Sequence, residues 1–360
     1  MINMRLNRFS WPTKGQKCRA TVGVTLKDIA KKIGKTTTTV SRALNDYDDI
    51  SPETKELVRN AADELGYIPN TLARRLQKRR TDTIGLILPT FGPRFSDPFF
   101  SEFLAGVGNK AAASGYDLLV STRPPGEQEM QAYQSNILGR RVDGFIIVRT
   151  RADDPRINYL RKLNFPFASF GRVEGVLDFP YIDEDSANGM LRVIEYLSGL
   201  GHRRIACISP PQELMFARHR ITGVKKGMDR LESQGGELLI VESDLTQRGG
   251  YLTANALLDG PFSPTAIVAC NDLMALGAMS AVQDRGFIVG KDISITGFDN
   301  IPMAEHSHPP LTTVNQPIYQ IGTMVCELLI QILCGEVAEK KKIMLQPSLI
   351  VRQSCGPTPG

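Results

Sequence analysis

Hydrophobic residues in the first 67 positions recur at helical spacing in three short bursts, and beyond residue 82 they form short apolar runs separated by helix-length segments. Leu26, Ile29, Ala30 and Ile33 lie on one helical face behind Thr25-Leu26-Lys27-Asp28, which has the form of a capping box. Gly34 supplies a turn. Thr36 can cap a second helix in which Val40, Ala43 and Leu44 face inward and Thr37, Thr38, Ser41 and Arg42 face outward. Ser51-Pro52-Glu53 opens a third, because serine is a preferred cap and proline a preferred first residue. Leu57, Val58, Ala61 and Leu65 give it an apolar stripe, and Gly66 ends it.

From residue 83 onward, strand-like runs at 84–88, 117–121, 144–148, 165–170, 204–208, 238–242, 266–269 and 293–296 alternate with helical segments at 98–114, 128–138, 186–200, 214–234, 250–258 and 273–285. Regular alternation of this kind predicts βαβ units and parallel sheets, an α/β fold of the doubly wound class. Such sheets bind ligands beyond the carboxyl ends of their strands, so two of them facing each other would enclose a ligand between them.

The first two helices and their short glycine-containing turn follow the order of a helix-turn-helix, whose second helix enters the major groove of DNA with its first residues on base edges. Short hydroxyl side chains suit that position, and arginine can grip guanine or phosphate. Charge points the same way. Residues 1–80 hold 17 Lys and Arg against 8 Asp and Glu, an excess of 9, so with +5 for the whole chain the remaining 280 residues carry −4. The plain alternatives are a three-helix cap on a larger domain and a solvated basic tail.

The run from Val24 to Ala30, the segment Thr39-Val40-Ser41-Arg42-Ala43-Leu44-Asn45 and Gly66-Tyr67-Ile68-Pro69-Asn70 together resemble the head of the lactose/galactose repressor (LacI/GalR) family of bacterial transcriptional regulators. The likeness continues through Leu72-Ala73-Arg74-Arg75-Leu76, similar to that family's hinge helix, into Thr83–Pro89, similar to the first strand of its effector domain. Residues 1–20 lie outside the likeness and read from their composition as a basic, disordered extension, while the resemblance implies a head at 21–68, a hinge helix and linker at 69–82 and an effector and dimerisation domain resembling periplasmic binding proteins at 83–360. Its N-subdomain would be 83–200 with 317–343, and its C-subdomain 201–316 with 344–360. Thr25, Thr36, Thr37, Thr38, Thr39, Ser41, Arg42, Asn45 and Tyr67 are the implied DNA-contacting positions of the head, joined by Asn70, Ala73 and Leu76 of the hinge. The implied partners are an operator in double-stranded DNA, a second copy of the chain and a small effector.

Polar residues after successive strand-like runs carry the candidate ligand chemistry, since a polyol needs carboxylate, amide and guanidinium groups together with aromatic faces. The resemblance assigns effector contacts to Arg220, in an R-x-x-G segment ending at Gly223, to Asn271 and to Asp299, and points also to Asp185 and Gln316. Where many members carry a stacking aromatic residue, this chain has Leu245, and Val148 and Arg149 stand where some sugar-binding members carry a polar residue and an aromatic one. Phe99, Phe170, Arg149 and Arg172 are candidates to compensate. Taken singly, Asp185 and Asn271 are equally readable as helix caps, and the phenylalanines as core. A sugar such as an α-glucoside is the expected effector. The alternatives are a nucleoside or purine corepressor, or a ligand-binding protein without regulatory DNA binding.

Other chemistry is thin. Gly286 to Asp292 superficially resembles a phosphate loop, but its glycine spacing is one residue short and Asp stands where Ser or Thr would hold magnesium. His306 and His308 lack the further ligands of a metal site, and no G-x-S-x-G element occurs. No enzyme, cofactor or metal is therefore expected. No run approaches the roughly 18 apolar residues of a membrane span, and the first twenty residues lack the apolar centre of a signal peptide. The six cysteines include no C-x-x-C pair, and Cys207 and Cys270 fall within apolar runs. They are expected to be small buried residues of a reduced, cytoplasmic protein.

Overall fold

The computed structural model describes residues 24–67, 80–90, 97–175, 178–336 and 342–359. The chain divides into two compact units, Met1–Arg79 and Arg80–Gly360. The hinge positions Asn70, Ala73 and Leu76, most of the 69–82 segment and the 1–20 extension lie outside the described residues.

The first unit contains α1 (Leu26–Ile33), α2 (Thr37–Leu44) and α3 (Pro52–Leu65). Each start follows its expected cap. The Asp28 carboxylate accepts the Thr25 backbone N–H at 2.8 Å and its hydroxyl at 2.7 Å, the Thr36 hydroxyl accepts the Thr39 N–H at 3.1 Å, and the Ser51 hydroxyl accepts that of Thr54 at 3.4 Å. Gly34 and Gly66 close α1 and α3 in the left-handed region at φ 66°. Ile29, Ala30, Val40, Ala43, Val58, Ala61 and Ala62 form the core. Leu57, expected in the apolar stripe, is instead 46% exposed, because Val58, Ala61 and Ala62 occupy the buried face of α3.

The second unit holds two six-stranded sheets. In chain order its elements are β1 (Thr83–Pro89), α4 (Pro98–Ala113), β2 (Asp117–Arg123), α5 (Glu127–Leu138), β3 (Gly144–Ile147), α6 (Pro155–Lys162), β4 (Phe167–Phe170), β5 (Tyr181–Glu184), α7 (Ser186–Gly199), β6 (Arg204–Ser209), α8 (Met215–Asp229), β7 (Glu237–Glu242), α9 (Gln247–Asp259), β8 (Ala266–Ala269), α10 (Asp272–Asp284), β9 (Ser294–Asp299), α11 (Pro302–His306), β10 (Thr312–Asn315), α12 (Ile318–Leu333), β11 (Lys342–Leu345) and β12 (Ser348–Ile350). The first sheet runs β11-β5-β4-β3-β1-β2, all parallel, and the second β12-β10-β9-β8-β6-β7, parallel except for the antiparallel β10–β12 edge. Strands β1, β3 and β8 are buried along their whole length, as expected for central strands covered on both faces. The long segment expected at 214–234 ends as α8 at Asp229 and is followed by a short 3₁₀ turn. Cys207 and Cys270 are buried with free thiols, their sulfurs 3.8 Å apart. Among the described residues, no helix is long and apolar enough to cross a membrane.

The chain crosses between the sheets after β5, after β10 and after β11. The first crossing corrects the expected subdomain limit at residue 200. Met190, Val193, Ile194 and Leu197 of α7 belong to the core of the second sheet, so the chain leaves the first sheet at Glu184. The limit at 343 also shifts, since β11 pairs with β5 through Leu345 and Glu184. Packing on α8 decides where α7 goes. A Cβ built on Gly223 would lie 2.1 Å from the Ala187 carbonyl oxygen, a contact only glycine permits, and Arg220 lies one turn before it. Gly223→Ala is expected to destabilise the second unit by about 1–3 kcal/mol, the usual cost of overpacking, as measured by denaturant unfolding. An unchanged midpoint would mean that the two helices can separate at no cost.

Candidate functional site

On the head, Thr37 and Thr38 are exposed at the start of α2, where base contacts would be made. The other expected positions have local roles. Thr36 and Thr39 join hydroxyls at 2.9 Å within the cap, and the Asn45 side-chain amide donates to the Ser41 carbonyl at 2.8 Å. Ser41 is half-buried, and Tyr67 packs on the head core while its N–H donates to the Ala62 carbonyl at 2.8 Å. Thr25 belongs to the cap of α1. Arg42 is held from two sides, with Nη2 2.5 Å from Asp49 and its guanidinium 5.0 Å from the centre of the Tyr47 ring.

In the second unit, a cleft lies where the carboxyl ends of both sheets meet. Strand ends supply its polar groups: Glu184 ends β5, Asp299 ends β9, Asn271 follows β8, and Gln316 lies in the crossing after β10. Arg220 from α8 sits at the centre, fully desolvated. Its Nη2 donates to Glu184 Oε1 and to Asp299 Oδ1, each at 3.2 Å, and its Nη1 to the Cys270 carbonyl. The guanidinium lies 3.6 Å from the centre of the Phe298 ring and 4.9 Å from that of Phe216. The Gln316 amide also donates to Asp299 Oδ1. Asn271 is occupied twice, its oxygen accepting the Met274 N–H at 2.9 Å and its nitrogen donating to the Leu245 carbonyl at 3.0 Å.

The cleft therefore brings together Phe99, Arg149, Phe170, Arg220, Leu245, Asn271, Asp299 and Gln316, all expected from the sequence. Asp185 is not part of the lining. Its carboxylate accepts the Asn188 N–H at 3.1 Å and caps α7, while Glu184 beside it turns into the cleft. The lining also includes Asp97, Phe100, Thr150, Asp183 and Phe216, which are not among the residues expected from the sequence. Asp97 accepts Arg149 Nη2 at 2.8 Å and caps α4, so the Asp-Pro pair opening that helix was the available signal. Phe99 and Phe170 stack at 5.9 Å and 17°, giving one wall an aromatic surface. Arg149, Leu245 and Asp299 have φ of 51°, 70° and 116°, backbone conformations that cost non-glycine residues roughly 1–3 kcal/mol and that cluster at functional sites. Three buried polar atoms in the cleft lack a partner: Glu184 Oε2, Gln316 Oε1 and Arg220 Nε. Two acceptors and one donor thus remain for a molecule bearing hydroxyl groups.

Residues 25–70 match the family model for bacterial regulatory proteins of the lacI family, and residues 194–355 that for a periplasmic binding protein-like domain. The chain is 33% identical over 333 residues to the HTH-type transcriptional regulator CelR of Thermobifida fusca, covering 92% of this chain and 98% of that protein. The structure of a CelR–cellobiose complex superposes with a TM-score of 0.70 at 32% identity, covering 92% of this chain and 99% of the other. That of the lac repressor dimer bound to operator and the anti-inducer ONPF gives 0.81 at 30% identity, covering 92% and 98%. These relatives are transcriptional regulators, not enzymes.

Two carboxylates on one guanidinium nitrogen carry more negative charge than a single cation balances. Burial pushes the Glu184 carboxyl up to about 7 against the pull of Arg220, and it pushes Asp299 up in the same way. A carboxyl raised in the folded state contributes stability that is complete below its unfolded value and is lost as pH rises through the folded one. For Glu184 that window runs from the ordinary glutamate value of 4.5 to about 7. Wild type should therefore lose stability relative to Glu184→Gln as pH rises across this window, with the difference level above it, in denaturant unfolding from pH 4.5 to 8. A constant difference throughout would show that Glu184 is ionised in the folded protein at all these pH values.

Proposed function

The chain belongs to the lacI family of bacterial regulatory proteins, and from that premise we propose that it is a ligand-controlled repressor that binds a pseudopalindromic operator as a homodimer and responds to a neutral sugar held in the cleft. An α-glucoside is the first candidate. The supporting observation is the desolvated Arg220 bridge between Glu184 and Asp299, with Glu184 Oε2, Gln316 Oε1 and Arg220 Nε lacking partners beside an aromatic wall. Sugar hydroxyls both donate and accept, and sugar C–H faces pack on rings, so the donor, acceptors and apolar surface of the cleft match one ligand class. The complex of CelR with cellobiose supports a sugar as the class without choosing the anomer.

Asp299, Arg220 and Gln316 would hold the hydroxyls and Phe99 and Phe170 would support the ring. On the DNA side, Thr37, Thr38 and Arg42 would read each half-site, and Leu76 of the hinge would wedge a base step in the minor groove. Asn70 and Ala73 would lie in the same hinge contact.

Calorimetry with maltose, cellobiose and adenosine tests the ligand class. Asp299→Ala and Arg220→Ala are expected to weaken sugar binding by about 2–4 kcal/mol, since each leaves a buried partner unpaired, while ligand-free operator affinity barely changes. Full sugar affinity in both variants would remove the cleft from the proposal, and preferential adenosine binding would replace the sugar. Separately, Arg42→Ala should cost about 1–3 kcal/mol of operator affinity and relax base preference at one position of each half-site, as read by binding to single-base operator variants. A uniform loss across all variants would make Arg42 a phosphate contact.

A further inference from the structure

Beside the cleft but outside its lining, the first sheet's side of the domain buries two arginines with two carboxylates. Arg156 of α6 is fully buried. Its Nε and Nη2 donate to Asp154 at 2.9 and 2.6 Å, its Nη1 to Glu129 Oε1 at 3.0 Å, and Nη2 also to the Arg149 carbonyl at 2.9 Å. Arg151 donates to both oxygens of Glu129, at 2.8 and 3.2 Å, and its backbone N–H to Asp154 at 3.0 Å. Breaking such a cluster is costly, because whatever charge remains is buried without a partner.

The cluster grips the segment 149–152. At one end of it, Arg149 adopts φ 51° and sets its guanidinium on Asp97 against the cleft. Further along, the segment crosses to the other lobe. The Met215 N–H donates to the Thr150 carbonyl at 2.9 Å and the Ala152 N–H to the Glu213 carbonyl at 3.1 Å, around an antiparallel bridge between Arg151 and Leu214. Leu214 immediately precedes α8, the helix that carries Arg220. One short strap thus presents Arg149 to the cleft and pairs by backbone with the opposite lobe, and its shape is fixed from behind by a fork of N–H groups that only arginine supplies.

We propose that Arg156, held by Glu129 and Asp154, is a positioning residue for the cleft: it fixes segment 149–152 in the conformation that presents Arg149 beside Asp97 and joins the strap to residues 213–215. The effect on ligand rests on the function proposed above; the effect on the strap does not. A cluster that only stabilised the fold would, when weakened, loosen the whole domain in proportion. A positioning cluster loosens the strap first.

The test uses the full chain as wild type, Arg156→Lys and Glu129→Gln. Hydrogen exchange at the amides of Ala152 and Met215 is expected to be at least tenfold faster in each variant, with amides of the β6–β8 ladder unchanged. Maltose affinity by calorimetry is expected to fall at least tenfold, and ligand-free operator affinity to stay within twofold. Should Arg156→Lys fail to fold, the nearly isosteric Glu129→Gln carries the test. Unchanged exchange at Ala152 and Met215 in a folded variant, or acceleration spread evenly over both sheets, would overturn the proposal. If wild type binds no maltose, the α-glucoside reading fails and the exchange measurement alone decides the role of Arg156.

Discussion

The desolvated guanidinium of Arg220 is the constraint on which the cleft depends. A buried cation costs several kcal/mol unless its charge and its N–H groups are met within the protein, and here they are met from both sheets at once. Glu184 arrives at the end of β5, Asp299 at the end of β9 and the Cys270 carbonyl from the end of β8, while the Phe298 ring covers the flat face. Lobe arrangement and charge pairing are therefore one problem, because separating the sheets would leave the cation short of a partner. The pairing is also imperfect by charge count, with two carboxylates on one nitrogen and Glu184 Oε2 left over. A ligand hydroxyl donating to that oxygen would satisfy what the protein alone does not.

Bringing those strand ends together needs close helix packing and unusual backbone. Gly250 of α9 allows the Met274 carbonyl of α10 to come within 2.2 Å of where a Cβ would stand, and Gly223 does the same between α8 and α7. The second sheet's covering helices thus sit close to one another. At the cleft, the left-handed residues Arg149, Leu245 and Asp299 turn the chain sharply at strand ends, and local strain there is offset by the hydrogen bonds their neighbours make.

How much of this was legible follows from where the information sits along the chain. Caps and periodicity are local, so the three head helices and the central strands could be read from a few neighbouring residues. Strands β5, β10, β11 and β12 and the helices α6, α11 and α12 are not marked by the pattern. Three- and four-residue strands have too few positions to show a period, and α12 is apolar almost all round because it packs on both α4 and the sheet. Asp185 and Glu184 illustrate a one-residue ambiguity: either carboxylate could cap the helix or face the cleft, and the point at which β5 ends and the helix begins leaves Asp185 on the Asn188 N–H and Glu184 in the cleft. The Glu129–Arg156 pair bridges α5 and α6 and has no signature in either helix alone.

Where the chain enters the second unit limits how a ligand could be sensed elsewhere. The backbone N–H groups of Thr81 and Asp82 donate to the Asp143 carboxylate at 2.7 and 2.8 Å, the Thr81 hydroxyl joins them at 2.9 Å, and Arg80 donates to the Leu333 carbonyl at the end of α12. The entering strand is thus tied to the lobe built on the first sheet. Local rearrangement around a ligand at the opposite strand ends would not loosen those bonds. Rotation of the first sheet against the second would carry the entering chain with it, so a ligand in the cleft could be sensed there by favouring one of two such arrangements. A ligand shifts their balance only by its difference in affinity for the two, and reversing a 1:99 population takes about 5.5 kcal/mol. Hydrogen bonds to charged groups contribute about 1.5–3 kcal/mol each, so a ligand that engages both Glu184 and Asp299 in one arrangement alone reaches that range, and one that engages a single carboxylate falls short of it.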